Sequence, residues 1–291
     1  MRRAAAWLTL LLVATFHATA AQDYQAAGMV LSVDRSHRTF VVSMEAIPNY
    51  MPAMTMPVEV VEAAALDGLV PGAIVTFTLH VDERSSHAER IRIVRFENVQ
   101  QDPFTASRLK LLGDLAAGAG APKALGAGEA VPDFRLIDQT GRPVTFSSLR
   151  GKVVAMNFIY TSCALPNFCL RLANNFGVLQ KRFHQQLGKD LVLLTVTFDP
   201  VHDTPEVLAK YAGQWKAELP GWRFLTGAPA DVRKVCDLFG VYAFPNEGLM
   251  DHSLHTALID RQGRLVANIE GNQFTATELG DLTASVLKAA R

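Results

Sequence analysis

The sequence predicts an α/β domain preceded by a small all-β domain. Three observations carry that reading. Residues 28 to 98 hold short runs rich in Val, Ile, Thr and Phe, separated by turn compositions. Residues 99 to 130 contain the Gly/Ala-rich stretch "AAGAGAPKALGAGEA", a linker composition. From Val131 onward, strands of the fully buried type alternate with helical patterns, which implies a mixed sheet covered on both faces.

The elements follow in order. The chain opens with "MRRAAAWLTLLLVATFHATAAQ". Arg2 and Arg3 precede an apolar run from Ala4 to Phe16, too short to span a bilayer, and Ala18-Thr19-Ala20 supplies small residues for cleavage. Residues 1–21 therefore read as a secretory signal peptide cut near Ala20 or Ala21; the alternative is a segment retained as an anchor. No cysteine stands at the cleavage site, which argues against a lipoprotein. The expected compartment is an oxidising one such as a periplasm, where thiols persist only if protected, reduced by a partner or metal-bound. Lys plus Arg equals Asp plus Glu at 28 each, so no charge excess points to nucleic acid or anionic lipid.

Residues 22–98 form the first domain. "GMVLSVD", "TFVVSM", "AIVTFTLHV" and "AERIRIVRF" are among about five expected strands, enough for a small OB-like barrel. Within residues 99–130, "FTASRLKLLGDLAAG" reads as a short helix ahead of the linker. Residues 131–291 form the second domain. "DFRLID" and "PVTFSS" read as a hairpin, "KVVAMNFIY" and "LVLLTVTF" as buried strands, and residues 168 to 187 as the helix between them. A second helix, "TPEVLAKYAGQW", has Thr204 as its cap and Pro205 in its first turn. "WRFLTG", "PADVRKVCDLFG", "HTALID", "RLVANIE" and "TATELGDLTASVLKAA" continue the alternation. A hairpin, βαβα and then ββα is a thioredoxin-like order.

The chemistry concentrates in "YTSCALPNFCLR", residues 160–171, which holds Cys163 and Cys169, two of the three cysteines. It follows a buried strand at the carboxyl end, where α/β folds place their sites. Pro166 keeps Cys163 in a loop, and Asn167 is the expected cap, so Cys169 falls in the first turn, where the helix dipole favours thiolate. On a regular helix, residues six apart have Cα atoms about 10 Å apart, beyond the roughly 4.4–6.8 Å of a disulfide. A disulfide staple, a redox-active dithiol and half of a metal site remain open from spacing alone. A staple across so short a loop would contribute only about 2 kcal/mol.

Three motifs decide among these by resemblance. The two-cysteine loop, "FDPVHDTPEVLAKYA" at residues 198–212 and "DHSLHTALID" at 251–260 resemble the Sco/SenC family of thioredoxin-fold copper proteins. The resemblance implies that Cys163, Cys169 and His252 bind copper, as Cu(I) or Cu(II). It also implies an oxidase partner, the cytochrome c oxidase subunit carrying the CuA site, and a thiol–disulfide reductant. The loop departs from the usual family spacing, with five residues between the cysteines instead of three. His255 is the lesser candidate for the histidine. Asp251 is expected to orient the imidazole, Asp199 and Asp203 to fix the loop and cap the next helix, and Cys236 to be a buried inert thiol. The rival reading is a thiol–disulfide oxidoreductase acting through Cys163 and Cys169. Against it, "HSLHT" lacks the proline that the thioredoxin clan places before this strand, and His252 has no part in simple exchange.

The first domain has a signal of its own in "SMEAIPNYMPAMTMPVEV". Met44, Met51, Met54 and Met56 are half of the chain's eight methionines. Met54 and Met56 share one face if the segment is a strand. Pro48, Pro52 and Pro57 bracket it, which argues against ordinary core packing, and soft thioethers suit Cu(I). The segment resembles the CusF-like periplasmic copper-binding barrel, whose M-x-M pair Met54 and Met56 match. Met44 and Met51 stand where that family has a histidine and an aromatic, so an all-methionine site is implied. The reading that unites both domains is a copper metallochaperone with a relay between them. A flexible linker of about 16 residues would span roughly 20–24 Å.

Overall fold

The computed structural model describes residues 21–82, 85–94, 124–163, 168–246 and 249–289. The expected signal sequence up to Ala20, the expected helix near residues 104–118 and most of the linker lie outside the described residues. Among the described residues no helix is long and apolar enough to cross a membrane.

In the first domain, five strands close into a barrel in the order β1-β2-β3-β5-β4. They are β1 (Gln22–Asp34), β2 (Thr39–Met44), β3 (Met54–Val60), β4 (Ile74–Val81) and β5 (Ser86–Ile93). All ladders are antiparallel except β3 with β5, paired in parallel at Glu59–His87 and Val60–Ala88. The interior is filled by alternate residues, among them Val42, Val58, Val75 and Leu79 around an edge-to-face pair of Phe40 and Phe77 at 5.6 Å. The methionine segment does form a strand despite its prolines. Pro57 pairs with Val41 of β2, while β5 joins β3 only two residues later. It therefore lies where β3 has one neighbour, a position that tolerates a missing donor.

β1 is covered on both faces. Ala26 and Val30 join the barrel interior, while Met29 and Leu31 join the core of the second domain. Gly72 sets how closely the two bodies meet. Its φ of +86° lies in the left-handed region, and a Cβ there would stand 2.8 Å from the Ala267 side chain. Ser43 and Thr55 donate hydrogen bonds to the Asp281 carboxylate at 2.7 and 3.1 Å, fastening the barrel a second time.

The second domain is built on a seven-stranded sheet in the order β14-β13-β8-β9-β10-β6-β7. Its elements are β6 (Arg135–Asp138), β7 (Pro143–Thr145), β8 (Val153–Ile159), α1 (Cys169–Arg182), β9 (Leu191–Thr197), α2 (Pro205–Gln214), β10 (Trp222–Thr226) and α3 (Pro229–Leu238). A small hairpin of β11 (Ala243–Asn246) and β12 (Leu249–His252) precedes β13 (His255–Ile259), β14 (Leu265–Glu270) and α4 (Ala276–Ala289). β8, β9 and β10 run parallel, and every residue of β8 and β9 is buried, as continuous apolar runs require. This is the thioredoxin-like arrangement that the element order implied. The β11–β12 hairpin was not foreseen. Leu125 and Gly128 hydrogen-bond to Leu238 and Leu265, so the end of the Gly/Ala stretch lies along the second domain.

Local chemistry fixes the helix starts. The Thr204 side chain accepts from the Val207 N–H, with Pro205 in the first turn of α2. At α4, Thr275 and Glu278 form a reciprocal capping box: the Thr275 N–H donates to the Glu278 carboxylate at 2.7 Å and the Glu278 N–H to the Thr275 hydroxyl at 3.2 Å.

Candidate metal centre

The chain leaves β8 at its carboxyl end and enters a loop held from below. The Thr161 N–H donates to the Asp203 carboxylate at 3.1 Å, the Thr161 hydroxyl donates to its other oxygen, and the Thr197 hydroxyl adds a bond of 2.5 Å. Asp203 is buried, so these donors satisfy a charge that would otherwise be costly. It thereby ties the cysteine loop to the end of β9, the loop-fixing role expected of it. Asp199 accepts from His202 at 2.9 Å, away from the centre.

Cys163 lies two residues beyond Thr161, and Cys169 is the first residue of α1. Asn167, the expected cap, lies outside the described residues, and Phe168 holds the cap position with no side-chain bond. His252 arrives from β12, the hairpin strand that sequence patterning missed, instead of from a polar loop. Cys163, Cys169 and His252 are all buried, at 6%, 0% and 4% exposure. Their sulfur and nitrogen ligand atoms all lie within 4.8 Å of one another, with Cys169 Sγ 4.0 Å from His252 Nε2.

The imidazole is oriented by backbone. His252 Nδ1 donates to the Ser253 carbonyl at 3.1 Å, leaving Nε2 to face the sulfurs. Three aromatic rings wall the histidine: Phe198 at 4.8 Å, Tyr160 at 5.6 Å and Phe168 at 6.3 Å between centroids. Phe198 opens the "FDPVHDTP" motif, so its place there was available in the sequence. Tyr160 and Phe168 flank the cysteines and read only as strand and helix ends.

The wall overturns one electrostatic expectation. Burial, with the neighbouring Cys163 adding to it, pushes the Cys169 thiol well above its ordinary value. The helix N-terminus does not prevail over desolvation. Tyr160 is likewise pushed up to about 12, first by burial. None of Cys163, Cys169 and Cys236 is in a disulfide. Cys236 is buried on α3 and pushed up to about 12 by burial, an inert position for a thiol. His255 is buried apart from the three, bonded to Asn268 at 3.2 Å, and burial lowers it to about 4.

The methionines lie at the end of the barrel where β2 passes into β3. Met44 pairs across the ladder with Met54, and Met56 with Val42. Met44 is buried in the barrel interior, Met51 and Met56 pack against that interior, and Met54 is 46% exposed. All four therefore belong to one end of one barrel, graded from interior to solvent.

Comparison with known proteins adds the following. The family model described as SCO1/SenC matches residues 122–287, more than half of the chain, and the model for the copper binding periplasmic protein CusF matches residues 23–93. The chain is similar to the SCO2-like protein RT0576 of Rickettsia typhi, 34% identical over 140 residues, covering 46% of this chain and 66% of that protein. It is 36% identical over 138 residues to the SCO2-like protein RP587 of Rickettsia prowazekii, covering 45% and 64%. The chain thus spans just under two thirds of the length of these curated relatives. Among solved structures, the copper-bound ScoI of Bradyrhizobium japonicum aligns at 28% identity and a TM-score of 0.47, covering 56% of this chain and all of that one.

Proposed function

The chain belongs to the SCO1/SenC family, and from that premise we propose that it is an exported copper metallochaperone serving cytochrome c oxidase assembly. The observation that carries the reading is the buried meeting of two sulfurs and one imidazole nitrogen within 4.8 Å. Two thiols and an imidazole are a soft donor set that suits copper. The residues fit the ion: the loop held by Asp203 supplies Cys163, α1 supplies Cys169, and the Ser253 carbonyl fixes His252 with Nε2 turned inward. Copper is the cargo, taken up as the thiols lose their protons and passed to an acceptor, which we assign as the CuA site of the oxidase.

The thiol–disulfide oxidoreductase reading is weaker on physical grounds. A nucleophilic thiol needs a lowered pKa and access, whereas Cys169 is fully buried and held high by desolvation. A bound cation reverses that logic, because a ligating thiol gives up its proton outright.

In the first domain we assign Met44, Met51, Met54 and Met56 as a Cu(I) site, open at Met54. The strand order with β3 parallel to β5 supports the OB-like description of its barrel. A relay to the thiols is supported by placement. Ser43 and Thr55 hold Asp281 of α4, and Glu45, next to Met44, raises the Glu278 carboxyl, a smaller cause than its burial. The methionine rim thus runs toward the start of α4, and Arg171 in the first turn of α1 donates to the Phe274 carbonyl just before it. Docking replaces the free tether that the linker composition implied.

X-ray absorption on the reduced full-length chain with one equivalent of Cu(I) tests the assignment. The expected first shell is two sulfurs and one imidazole nitrogen. Cys163→Ser, Cys169→Ser and His252→Ala should each destroy it, with Cys236→Ser unchanged. An imidazole contribution that survives in His252→Ala removes the histidine from the site.

A further inference from the structure

A second cluster of metal-ligating side chains lies on the outer face of the barrel. Three neighbouring strands place Asp23, His80 and His87 in one transverse row: Asp23 of β1 is in register with His80 of β4, and His80 with His87 of β5. The row continues onto β3, where Glu59 is in register with His87. Their sequence neighbours Tyr24, Leu79, Ala88 and Val60 pack in or against the barrel interior, so the alternation of the pleat turns this row outward. The two imidazoles are half-buried, with side chains 30% and 23% exposed.

The spacing of the two rings suits two ligands on one ion. Imidazoles bound cis to one metal at about 2.0 Å bring their ring centroids to about 4.5–5.1 Å. The centroids of His80 and His87 are 5.0 Å apart. Each ring is also held by a carboxylate through one nitrogen. Asp23 lies 2.6 Å from His80 Nδ1, and Glu89 lies 3.2 Å from His87 Nε2. The other nitrogen of each ring, His80 Nε2 and His87 Nδ1, is left for a ligand. A carboxylate behind a histidine fixes its tautomer and raises its basicity, the support that metal-ligating histidines receive. Among the described residues, the carboxylates of Asp23, Glu59 and Glu89 lie in or beside the row, and Arg90 lies 3.4 Å from Asp23. The local field favours a cation.

We propose that His80 and His87 form a second metal site, separate from the cysteine centre and the methionine rim, for a divalent ion that prefers imidazole. Imidazole and carboxylate without sulfur select the oxidised, borderline ions, and Cu(II) heads the affinity order among them. The barrel then offers copper two different faces: thioethers at the rim for Cu(I), and histidines on the wall for Cu(II).

The test uses the full-length chain titrated with Cu(II) supplied as its glycine complex and read by low-temperature electron paramagnetic resonance. The parent should take up one more equivalent of Cu(II) than either His80→Asn or His87→Asn, and that copper should carry two imidazole nitrogens. Asp23→Asn should weaken its uptake about 10–100-fold by removing the support of His80. Circular dichroism, together with the sulfur charge-transfer band of the cysteine centre, verifies folding in each variant. Equal uptake and identical spectra in the parent and both histidine variants overturn the proposal. So does a pulsed measurement on the parent alone that finds fewer than two imidazoles on the additional copper, whatever the variants do.

Discussion

The cysteine centre and the methionine rim both offer soft sulfur, in opposite settings. Cys163, Cys169 and His252 are buried, with Phe198, Tyr160 and Phe168 around the imidazole, and the thiol protons must leave before a metal can be bound. The rim runs from buried Met44 to half-exposed Met54, and its thioethers carry no proton at all. The difference teaches what each can do. A dry thiol site holds an ion tightly and couples its release to protons and redox state. An open thioether site has no proton to release, so its binding is not coupled to pH.

The largest test of that contrast is pH. Cys169 sits well above its ordinary value, so at neutral pH its thiol is protonated and binding must expel the proton. From pH 7.5 to 5.5, Cu(I) affinity at the cysteine centre should fall about 100-fold for each proton released. Affinity at the rim, measured in the Cys163→Ser/Cys169→Ser chain against a weak competitor, should stay level. A rim that weakens in parallel would abolish the distinction and implicate a titrating ligand there.

Next in size is the loop anchor. Asp203→Ala orphans the Thr161 and Thr197 donors, and an unsatisfied buried group costs about 1–3 kcal/mol. Urea unfolding should register that loss. Copper should also leave the cysteine centre faster while the rim is unaffected. Equal effects on both sites would mean that Asp203 acts on the whole fold and not on the loop.

The smallest effect concerns docking. Burial raises the Asp281 carboxyl, but bonds from Ser43, Arg182 and Thr55 outweigh it and hold it below its ordinary value of 3.8. A depressed carboxylate stabilises above its unfolded value and stops doing so as pH falls through the folded one. The fastening is therefore intact at neutral pH, begins to weaken only below the unfolded value near pH 4, and is lost as pH falls through the lower folded value. Asp281→Asn should remove it at every pH, with a few-fold faster hydrogen exchange in β1 and β2 and unchanged spectra at the cysteine centre. Unaltered exchange would leave the Met29 and Leu31 contacts as the sole fastening.

Much of this was legible in the sequence, because it depended on local pattern. The apolar runs of β8 and β9, the Thr204 cap and the motifs holding Cys163, Cys169 and His252 all announce themselves within a few residues. The parts that were not legible depend on long-range packing. The strand carrying His252 exists only by pairing with β11, and the aromatic wall assembles around that histidine from the residues just after β8 and β9 and just before α1. Burial in the assembled fold, in turn, is what raises Cys169 against the helix dipole. One missed feature did leave a trace. "GMVL" in β1 breaks the alternation of a one-sided strand, as a strand covered on both faces does.

That shared strand bears on how such a chain can change over generations. Met29 is fully buried in the core of the second domain, and burial of such a side chain is worth about 1.5–3 kcal/mol. Gly72 leaves no room for a side chain against Ala267. A deletion or fusion that parted the barrel from its companion would expose both apolar surfaces at once. Exchange of one half therefore requires a matching surface on the replacement.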